Sequence, residues 1–260
     1  MKLFDATLDL ASFAKGTEDY EISAVDTEAN QIICNDLSGR IAEFGGGTIW
    51  FRGGDSALQF GRIKSSAAQT IDLLDTFPDG YAAGDLITIG AWLEFDTQKL
   101  INAVNSVLRL YKVLRFNSEL SFDRETSVYD LPDGVSGDVR KVYLPLIDHE
   151  VLSHYWRVED GKLYLYDNRR FRYLDGGTIR IAYADYHGEV GKGDTISDQV
   201  DRRYLRYMAW LYLCRNLIQT THKDNLIATD MYNEAKVYER DYGELPNKQL
   251  PPRTLTFPSW

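Results

Sequence analysis

Cysteine and histidine are scarce in this chain. The 260 residues include two cysteines, Cys34 and Cys214, and four histidines. The cysteines lie far apart in sequence, which predicts two buried reduced thiols rather than a disulfide framework. His149 and His154 stand beside acidic residues, but their spacing matches neither the HExxH nor the CxxC pattern of a metal site. We therefore expect no metal and no cofactor.

Recognisable catalytic motifs are absent as well. The glycine runs at 45–47 and 53–54 carry neither a GxGxxG nor a Lys-Ser/Thr pattern that opens a helix, so they predict turns rather than phosphate cradles. No GxSxG sequence occurs, and neither cysteine has a recognisable nucleophile context. An alternative is an enzyme such as a glycoside hydrolase, which uses two carboxylates, but no motif in the sequence identifies such a pair. We expect a protein that is not an enzyme.

Excess positive charge and long hydrophobic runs are also missing. The net charge is −10, which disfavours a phosphate-binding surface or an anionic membrane as the main partner. The opening sequence MKLFDATLDLASFAKG lacks the apolar run of a signal peptide. We expect synthesis and folding in a cytoplasm, with no membrane association.

The most distinctive stretch is apolar and spans residues 198–220, DQVDRRYLRYMAWLYLCRNLIQT. Its spacing predicts a helix capped by Asp198 and apolar nearly all round, too polar at its ends to span a bilayer. Such a helix lies inside a core or between subunits. The residues expected at that core or oligomer interface are Tyr204, Met208, Trp210, Leu211 and Leu217.

Residues 1–95 have short apolar runs separated by glycine turns, which predicts a small β-barrel or sandwich domain. Two interpretations of its aromatic residues stay open. They form either a stacking platform for a carbohydrate or the barrel core, and we favour the core. The aromatic residues concerned are Trp50, Phe51, Tyr81 and Trp92.

Residues 96–243 predict a second domain that contains a helix, an antiparallel meander and two further helices. The first helix is expected over 96–116, with Asp96 or Thr97 as its cap. Asp160-Gly161 predicts a hairpin turn within the meander. The last helix is expected over 225–242.

Residues 244–260, ELPNKQLPPRTLTFPSW, form a proline-rich tail that excludes a helix or a central strand. The tail is either a docking arm or a frayed end, and its large apolar residues favour docking. The expected docking residues are Leu250, Leu255, Phe257 and Trp260.

The order of elements from 96 to 243, followed by an extended arm, resembles the head-to-tail adaptor (connector) proteins of tailed bacteriophages. The segments that carry the likeness are INAVNSVLRLYKVLRF, VYDLPDGV followed by VRKVYL, GGTIRIAYADYH, YLRYMAWLYLCRNLI and MYNEAKVYERDYG. The resemblance implies an α+β fold, in which a helical-bundle adaptor core carries the antiparallel β-meander. The N-terminal barrel or sandwich and the extended C-terminal arm would be added to that core.

The resemblance also implies a function. Such adaptors form a ring, usually twelvefold, in the virion neck between the portal protein and the stopper or tail. Double-stranded DNA passes through the lumen without sequence-specific binding, and an acidic lining would repel its phosphates. The alternative is a tail or baseplate accessory protein whose β domain binds a ligand.

Overall fold

The computed structural model describes residues 1–13, 17–37, 44–53, 58–76, 80–90, 96–144, 149–151, 155–166, 176–220, 226–242 and 250–251. Contacts divide the chain into two compact units. The first unit joins Met1–Leu110 with Gly188–Leu245, and the second joins Tyr111–His187 with Pro246–Trp260. Contacts within one folded chain do not test whether parts of it fold independently. The predicted domains at 1–95, 96–243 and 244–260 therefore stay predictions.

Within the described residues, the first unit contains four α-helices and seven strands. The helices are α1 (Leu3–Phe13), α2 (Thr97–Leu108), α3 (Arg202–Thr220) and α4 (Leu226–Tyr242). The strands are β1 (Thr17–Glu21), β2 (Ala24–Asp26), β3 (Gln31–Ile33), β4 (Thr48–Phe51), β5 (Phe60–Ala67), β6 (Thr70–Leu73) and β7 (Leu86–Gly90).

The second unit contains only strands in its described residues. These are β8 (Lys112–Ser121), β9 (Val128–Asp130), β10 (Val139–Leu144), β11 (His149–Glu150), β12 (Trp156–Glu159), β13 (Lys162–Leu165) and β14 (Thr178–Tyr186).

The fold is mostly β, so the predicted helical-bundle core is wrong. Three antiparallel sheets of seven, four and three strands organise the described chain. Long-range backbone pairing accounts for part of the difference. Residues 112–116, which the apolar spacing placed in a helix, pair instead with residues of β14 that lie 66 to 74 positions further along the chain.

The seven-stranded sheet closes on itself. Its order is β1-β7-β4-β5-β6-β3-β2, and the two outermost strands are consecutive in sequence. Between them, the Ile22 N–H donates to the Asp85 carbonyl at 2.9 Å and the Ser23 N–H donates to the Ile33 carbonyl at 2.7 Å. One bent strand therefore pairs with β7 in its first half and with β3 in its second half, which removes the sheet edge.

Inward-facing side chains fill this barrel. The buried cluster comprises Ile22, Ile32, Cys34, Leu37, Phe44, Ile49, Phe51, Ile63, Ile71, Leu73, Tyr81, Ile87 and Ile89. The alternation of strand side chains sends the neighbours of these residues outward. On β4, Ile49 and Phe51 therefore point inward, while Thr48 and Trp50 point away from the barrel core.

Buried polar contacts fix helices α1 and α2 to the outside of β4. The Trp50 indole N–H donates to the Thr7 hydroxyl at 3.1 Å, and the Thr48 and Thr97 hydroxyls lie 2.9 Å apart. Gly90 leaves room for the indole, because a Cβ there would lie 3.0 Å from the Trp50 ring. These contacts satisfy groups that would otherwise be buried without partners.

Helix α2 begins as predicted and ends early. The Asp96 carboxylate accepts a hydrogen bond from the Lys99 N–H at 2.8 Å, which confirms the predicted N-cap. The helix stops at Leu108 rather than Phe116. Leu110, which falls within the predicted helix range of 96–116, is 74% exposed.

Helix α3 starts later than predicted. It begins at Arg202, and its capping residue is Asp201 rather than Asp198. The Tyr204 N–H donates to the Asp201 carboxylate at 2.7 Å. Asp201 lies three residues before Tyr204, which is the spacing that lets a carboxylate reach an unpaired N–H of the first turn.

The second unit is a sandwich of two sheets, ordered β11-β10-β14-β8 and β12-β13-β9. Their facing side chains form one buried cluster that includes Val142, Leu163 and Ile181. Asp160 and Gly161 both adopt positive φ angles, 49° and 72°, and connect β12 to β13. This hairpin confirms the prediction from the Asp-Gly pair.

None of the helices in the described part of the chain combines the length and apolar character that a membrane crossing requires. This finding covers α3, whose charged residues include Arg203, Arg206 and Arg215.

Candidate functional site

The predicted interface residues of α3 are largely buried within their own chain. Tyr204, Trp210 and Leu211 are 8%, 3% and 3% exposed. Met208 is half-buried, and the side chain of Leu217 lies outside the described residues. Because α3 contacts α1, α2 and α4, these side chains already have neighbours before any second subunit binds.

Four aromatic side chains meet where α1, α3 and α4 converge. The Phe13 ring lies edge-on to Tyr207, Trp210 and Tyr238, with ring centroids 5.5, 6.0 and 6.0 Å apart. The Tyr207 and Tyr238 rings stack in parallel at 3.9 Å. Edge-to-face and stacked pairs of this kind add to the stability that burial alone provides.

Charged groups reinforce the same junction. The Asp9 carboxylate of α1 lies 3.1 Å from the Arg202 guanidinium and 3.5 Å from that of Arg206, both on α3. The Arg206 guanidinium also lies 5.0 Å from the Phe13 ring centroid and 4.9 Å from that of Tyr207. The first and third helices are thus joined by aromatic and ionic contacts together.

A polar pocket of about 390 Å³ opens beside this junction. Its lining residues are Asp5, Leu8, Asp9, Ser12, Thr17, Asp19, Arg52, Thr88 and Arg202. The Asp19 carboxylate accepts from the Thr88 hydroxyl at 2.6 Å and lies 2.9 Å from Arg52. Carboxylates, guanidiniums and hydroxyls can hydrogen-bond a small polar ligand, but the lining provides no aromatic ring for a sugar to stack on.

The aromatic residues of the carbohydrate alternative lie in buried positions. Trp50, Phe51 and Tyr81 are 0%, 1% and 8% exposed. The Phe51 and Tyr81 rings lie 4.0 Å apart inside the barrel, and burial raises the pKa of the Tyr81 hydroxyl. Trp92 lies outside the described residues. The three described rings are therefore core residues and cannot form an exposed platform.

The start of the predicted C-terminal arm is anchored in the second unit. The Leu250 side chain is buried. The Pro251 carbonyl accepts a hydrogen bond from the Arg140 guanidinium at 3.0 Å. The other expected docking residues, Leu255, Phe257 and Trp260, lie outside the described residues. Leu250 therefore packs against its own chain, and Arg140 holds the adjacent Pro251.

Asp138 supports the arginine that holds the arm. Its carboxylate lies 3.0 Å from the Arg140 guanidinium and 3.1 Å from the Lys112 ammonium. Burial alone raises the pKa of Asp138, but the hydrogen bonds from Arg140 and Lys112 outweigh it and lower the pKa below its ordinary value. The carboxylate is therefore charged at neutral pH and holds Arg140 in place.

Replacing Asp138 with asparagine tests this ion pair through the pH dependence of stability. A lowered folded-state pKa stabilises the fold above the ordinary carboxyl pKa of about 3.9, and that stability is lost as the pH falls through the folded-state value. At pH 7 we expect Asp138→Asn to lower the free energy of unfolding by about 1.5–3 kcal/mol, since hydrogen bonds to charged groups are lost.

The difference between wild type and Asp138→Asn should shrink as the pH is lowered below about 4. Urea unfolding at a series of pH values measures it. Asp130→Asn is the matched control, because that carboxylate pairs with Lys162 but its side chain is 86% exposed. A difference that stayed constant down to pH 2 would contradict the assignment.

Both cysteines are buried free thiols, as predicted. Burial raises the pKa of Cys34 and of Cys214 to about 12, so each is protonated at neutral pH. Among the described residues, no group of three or more His, Cys, Asp or Glu side chains is placed to hold a metal ion.

No protein-family model matches the chain, and no curated protein matches it.

Several residues at these junctions were missed from the sequence. The spacing of Leu3, Thr7 and Leu10 on α1 is helical and could have revealed the first helix. Arg140 had no such local signal, because it contacts a carbonyl 111 residues away. Sequence periodicity reports which face of an element is apolar, but it does not report which distant segment covers that face.

Proposed function

We propose that this chain is a head-to-tail adaptor, a structural virion protein that forms a ring between the portal and the tail of a tailed bacteriophage. The ring extends the DNA channel and offers a platform to the stopper or tail protein. The proposal rests on the sequence resemblance in residues 96–243 and on the anchored arm that follows them.

The anchored arm is the observation that carries the proposal. Leu250 and Pro251 are fixed to the second unit, and nine residues follow Pro251 in the sequence. Nine residues in extended form reach about 30 Å. Because this segment ends in Leu255, Phe257 and Trp260, it offers large apolar anchors of the kind that dominate binding energy at interfaces.

The buried state of α3 changes where ring contacts are expected. Tyr204, Trp210 and Leu211 stabilise the subunit itself, so neighbouring subunits meet through other surfaces. Among the described side chains of α3 and α4, the exposed large apolar residues are Tyr212 and Val237, at 37% and 46% exposure. They suit contact with a partner ring better than the buried residues do.

Charge is consistent with a channel protein. Each copy carries a net charge of −10, and a ring of such copies repels phosphate groups. Repulsion of this kind lets double-stranded DNA pass without binding to particular bases. A lumen dominated by lysine and arginine would contradict this part of the proposal.

Mixing the purified chain with the portal of its own virus tests the proposal. We expect the two proteins to co-elute in size-exclusion chromatography, with a mass by light scattering that fits one adaptor per portal subunit. The portal of an unrelated virus is the control and should elute separately. Separate elution of the cognate pair, with both proteins folded, would contradict the adaptor function.

A further inference from the structure

The polar pocket is bounded on one side by helix α1. Four residues of the helix line it, and they follow the i, i+3, i+4, i+7 spacing of a single stripe: Asp5, Leu8, Asp9 and Ser12. The buried stripe beside them includes Leu3, Thr7 and Leu10. Helix α1 therefore buries one face in the core of the first unit and presents two carboxylates to the pocket.

The opposite side of the pocket belongs to the barrel. Asp19 on β1 and Thr88 on β7 are register partners. Thr88 is 2% exposed, and its hydroxyl donates to the Asp19 carboxylate at 2.6 Å. The Thr17 hydroxyl donates to the Ser12 hydroxyl at 3.2 Å and so joins β1 to α1. Regular elements that hydrogen-bond to one another therefore hold the lining side chains in place.

The charges of the pocket are unbalanced at two points of opposite sign. Asp5 forms no ion pair with the residues that the structure describes, and one oxygen of its carboxylate accepts from the Lys2 N–H at 3.0 Å. One turn further along α1, the Asp9 carboxylate is shared by Arg202 at 3.1 Å and Arg206 at 3.5 Å. An unpaired carboxylate thus lies beside two guanidiniums that share a single anion.

A zwitterion complements this arrangement. An ammonium group supplies the cation that Asp5 lacks, and a carboxylate supplies a second anion for the arginine pair. The side chain of Arg202 is 63% exposed, so its remaining N–H groups are open to a ligand.

The dimensions of an α-amino acid match the spacing of these groups. Its nitrogen and carboxyl carbon are about 2.5 Å apart, so a hydrogen bond of about 2.8 Å at each end extends its reach to about 8 Å. Residues one helical turn apart, such as Asp5 and Asp9, have Cβ atoms about 6 Å apart. Because Arg202 pairs with Asp9, a single amino acid is long enough to contact Asp5 and Arg202 together.

The rest of the lining suits a polar side chain. Asp19 and Arg52 lie 2.9 Å apart and present an acceptor beside a donor. A carboxamide both donates and accepts, so it can hydrogen-bond to both groups of this pair. Leu8 is the single apolar side chain of the lining. An apolar ligand would therefore bury these polar groups without partners.

We propose that the polar pocket binds a free α-amino acid with a polar, uncharged side chain. Its ammonium donates to Asp5, and its carboxylate accepts from Arg202. The site goes beyond the adaptor function and does not depend on it. All of its lining residues belong to the first unit, whereas Leu250 and the arm that follows belong to the second.

Isothermal titration calorimetry of the full-length chain tests the site with related ligands. L-Glutaminamide lacks the carboxylate of L-glutamine, and N-acetyl-L-glutamine lacks its ammonium. We expect L-glutamine to bind saturably below about 10 mM. Each analogue should bind more weakly by on the order of ten- to a hundredfold, the usual effect of losing one charge-assisted contact. L-Leucine should also bind more weakly than L-glutamine, because it leaves Asp19 and Arg52 without a partner.

Two variants assign the contacts at the ends of the ligand. Asp5→Asn should weaken L-glutamine and L-glutaminamide alike, because both carry the ammonium. Arg202→Gln should weaken L-glutamine but leave L-glutaminamide unchanged. Asp130→Asn and Arg203→Gln are the matched controls and should bind like the wild type. The first changes a side chain that is 86% exposed in the second unit, and the second changes an exposed neighbour of Arg202 outside the lining.

Four results would overturn the proposal. They are no binding of L-glutamine up to about 10 mM, N-acetyl-L-glutamine or L-leucine binding as tightly as L-glutamine, Asp5→Asn binding like the wild type, and Arg202→Gln weakening both ligands equally. The ligand series uses the wild-type chain, so it decides the question even if a variant fails to fold. Co-elution with the portal judges the adaptor function separately, so either proposal can fail without the other.

Discussion

Replacing Trp210 with alanine is expected to lower the free energy of unfolding by about 3–5 kcal/mol, the usual cost of truncating a buried aromatic side chain. The indole is 3% exposed, and its ring lies 6.0 Å from that of Phe13. The substitution leaves a cavity where α1 and α3 meet, and it removes an edge-to-face aromatic contact. Urea unfolding of the purified chain measures the change.

Tyr212→Ala provides the matched comparison for Trp210→Ala. Tyr212 lies on the same helix but is 37% exposed, so its truncation should cost about 1 kcal/mol or less. Equal losses for the two variants would contradict the packing described for α3. An unchanged unfolding curve for Trp210→Ala would likewise contradict the packing of the indole within its own chain.

Removal of residues 252–260 is expected to abolish portal binding while changing the free energy of unfolding by less than about 0.5 kcal/mol. The truncated chain keeps Leu250 and Pro251, which form the anchored start of the arm. Residues 252–260 include Leu255, Phe257 and Trp260, the apolar residues proposed to bind the partner ring. Co-elution with the portal and urea unfolding measure the two effects.

A full-length variant tests whether the apolar side chains of the arm, rather than its length, are needed for binding. Leu255→Ser, Phe257→Ser and Trp260→Ser together keep the length of the segment and remove these side chains, so we expect the same loss of portal binding. Arg140→Ala is the complementary variant, because it releases the Pro251 carbonyl and leaves the apolar residues intact. Portal binding by the truncated chain at wild-type strength would show that the arm is not the docking segment.

Local signals in the sequence identified several elements correctly. Asp96 caps α2 because a carboxylate can reach an N–H three residues later, and this is a short-range property. The Asp160-Gly161 turn follows equally from local backbone preference, since both residues accept a positive φ. The described helix α4, Leu226–Tyr242, lies within the range predicted for the last helix, 225–242.

Elements that depend on distant pairing were not predictable in this way. Residues 112–116 have helical apolar spacing, yet they pair with β14 because that sheet offers partners for each backbone group. Closure of the barrel likewise depends on one bent strand that meets β7 and β3 together. Helix α1 is different, because the apolar spacing of Leu3–Phe13 is helical and can be read from the sequence. The glycine-rich β pattern that follows it led to a β prediction for all of residues 1–95.

The sequence predicted which residues of α3 are buried, but not which segments of the chain cover them. Tyr204, Trp210 and Leu211 were identified as residues that require cover, but the sequence left open whether their own chain or a neighbour provides it. The structure shows cover from within the first unit. Contacts such as that of Asp9 with Arg202, 193 residues apart, determine which segment covers α3. Such contacts cannot be read from the local spacing of apolar residues.

Electron microscopy of the purified chain bound to the portal of its own virus tests the adaptor function most directly. The proposal predicts an additional ring of density, coaxial with the portal and with matching or compatible symmetry, and arm density that reaches the portal from each adaptor subunit. Portal particles that show no added ring, under conditions where both proteins are folded and mixed in excess, would contradict it. The polar pocket beside α1 would then become the first place to search for a ligand.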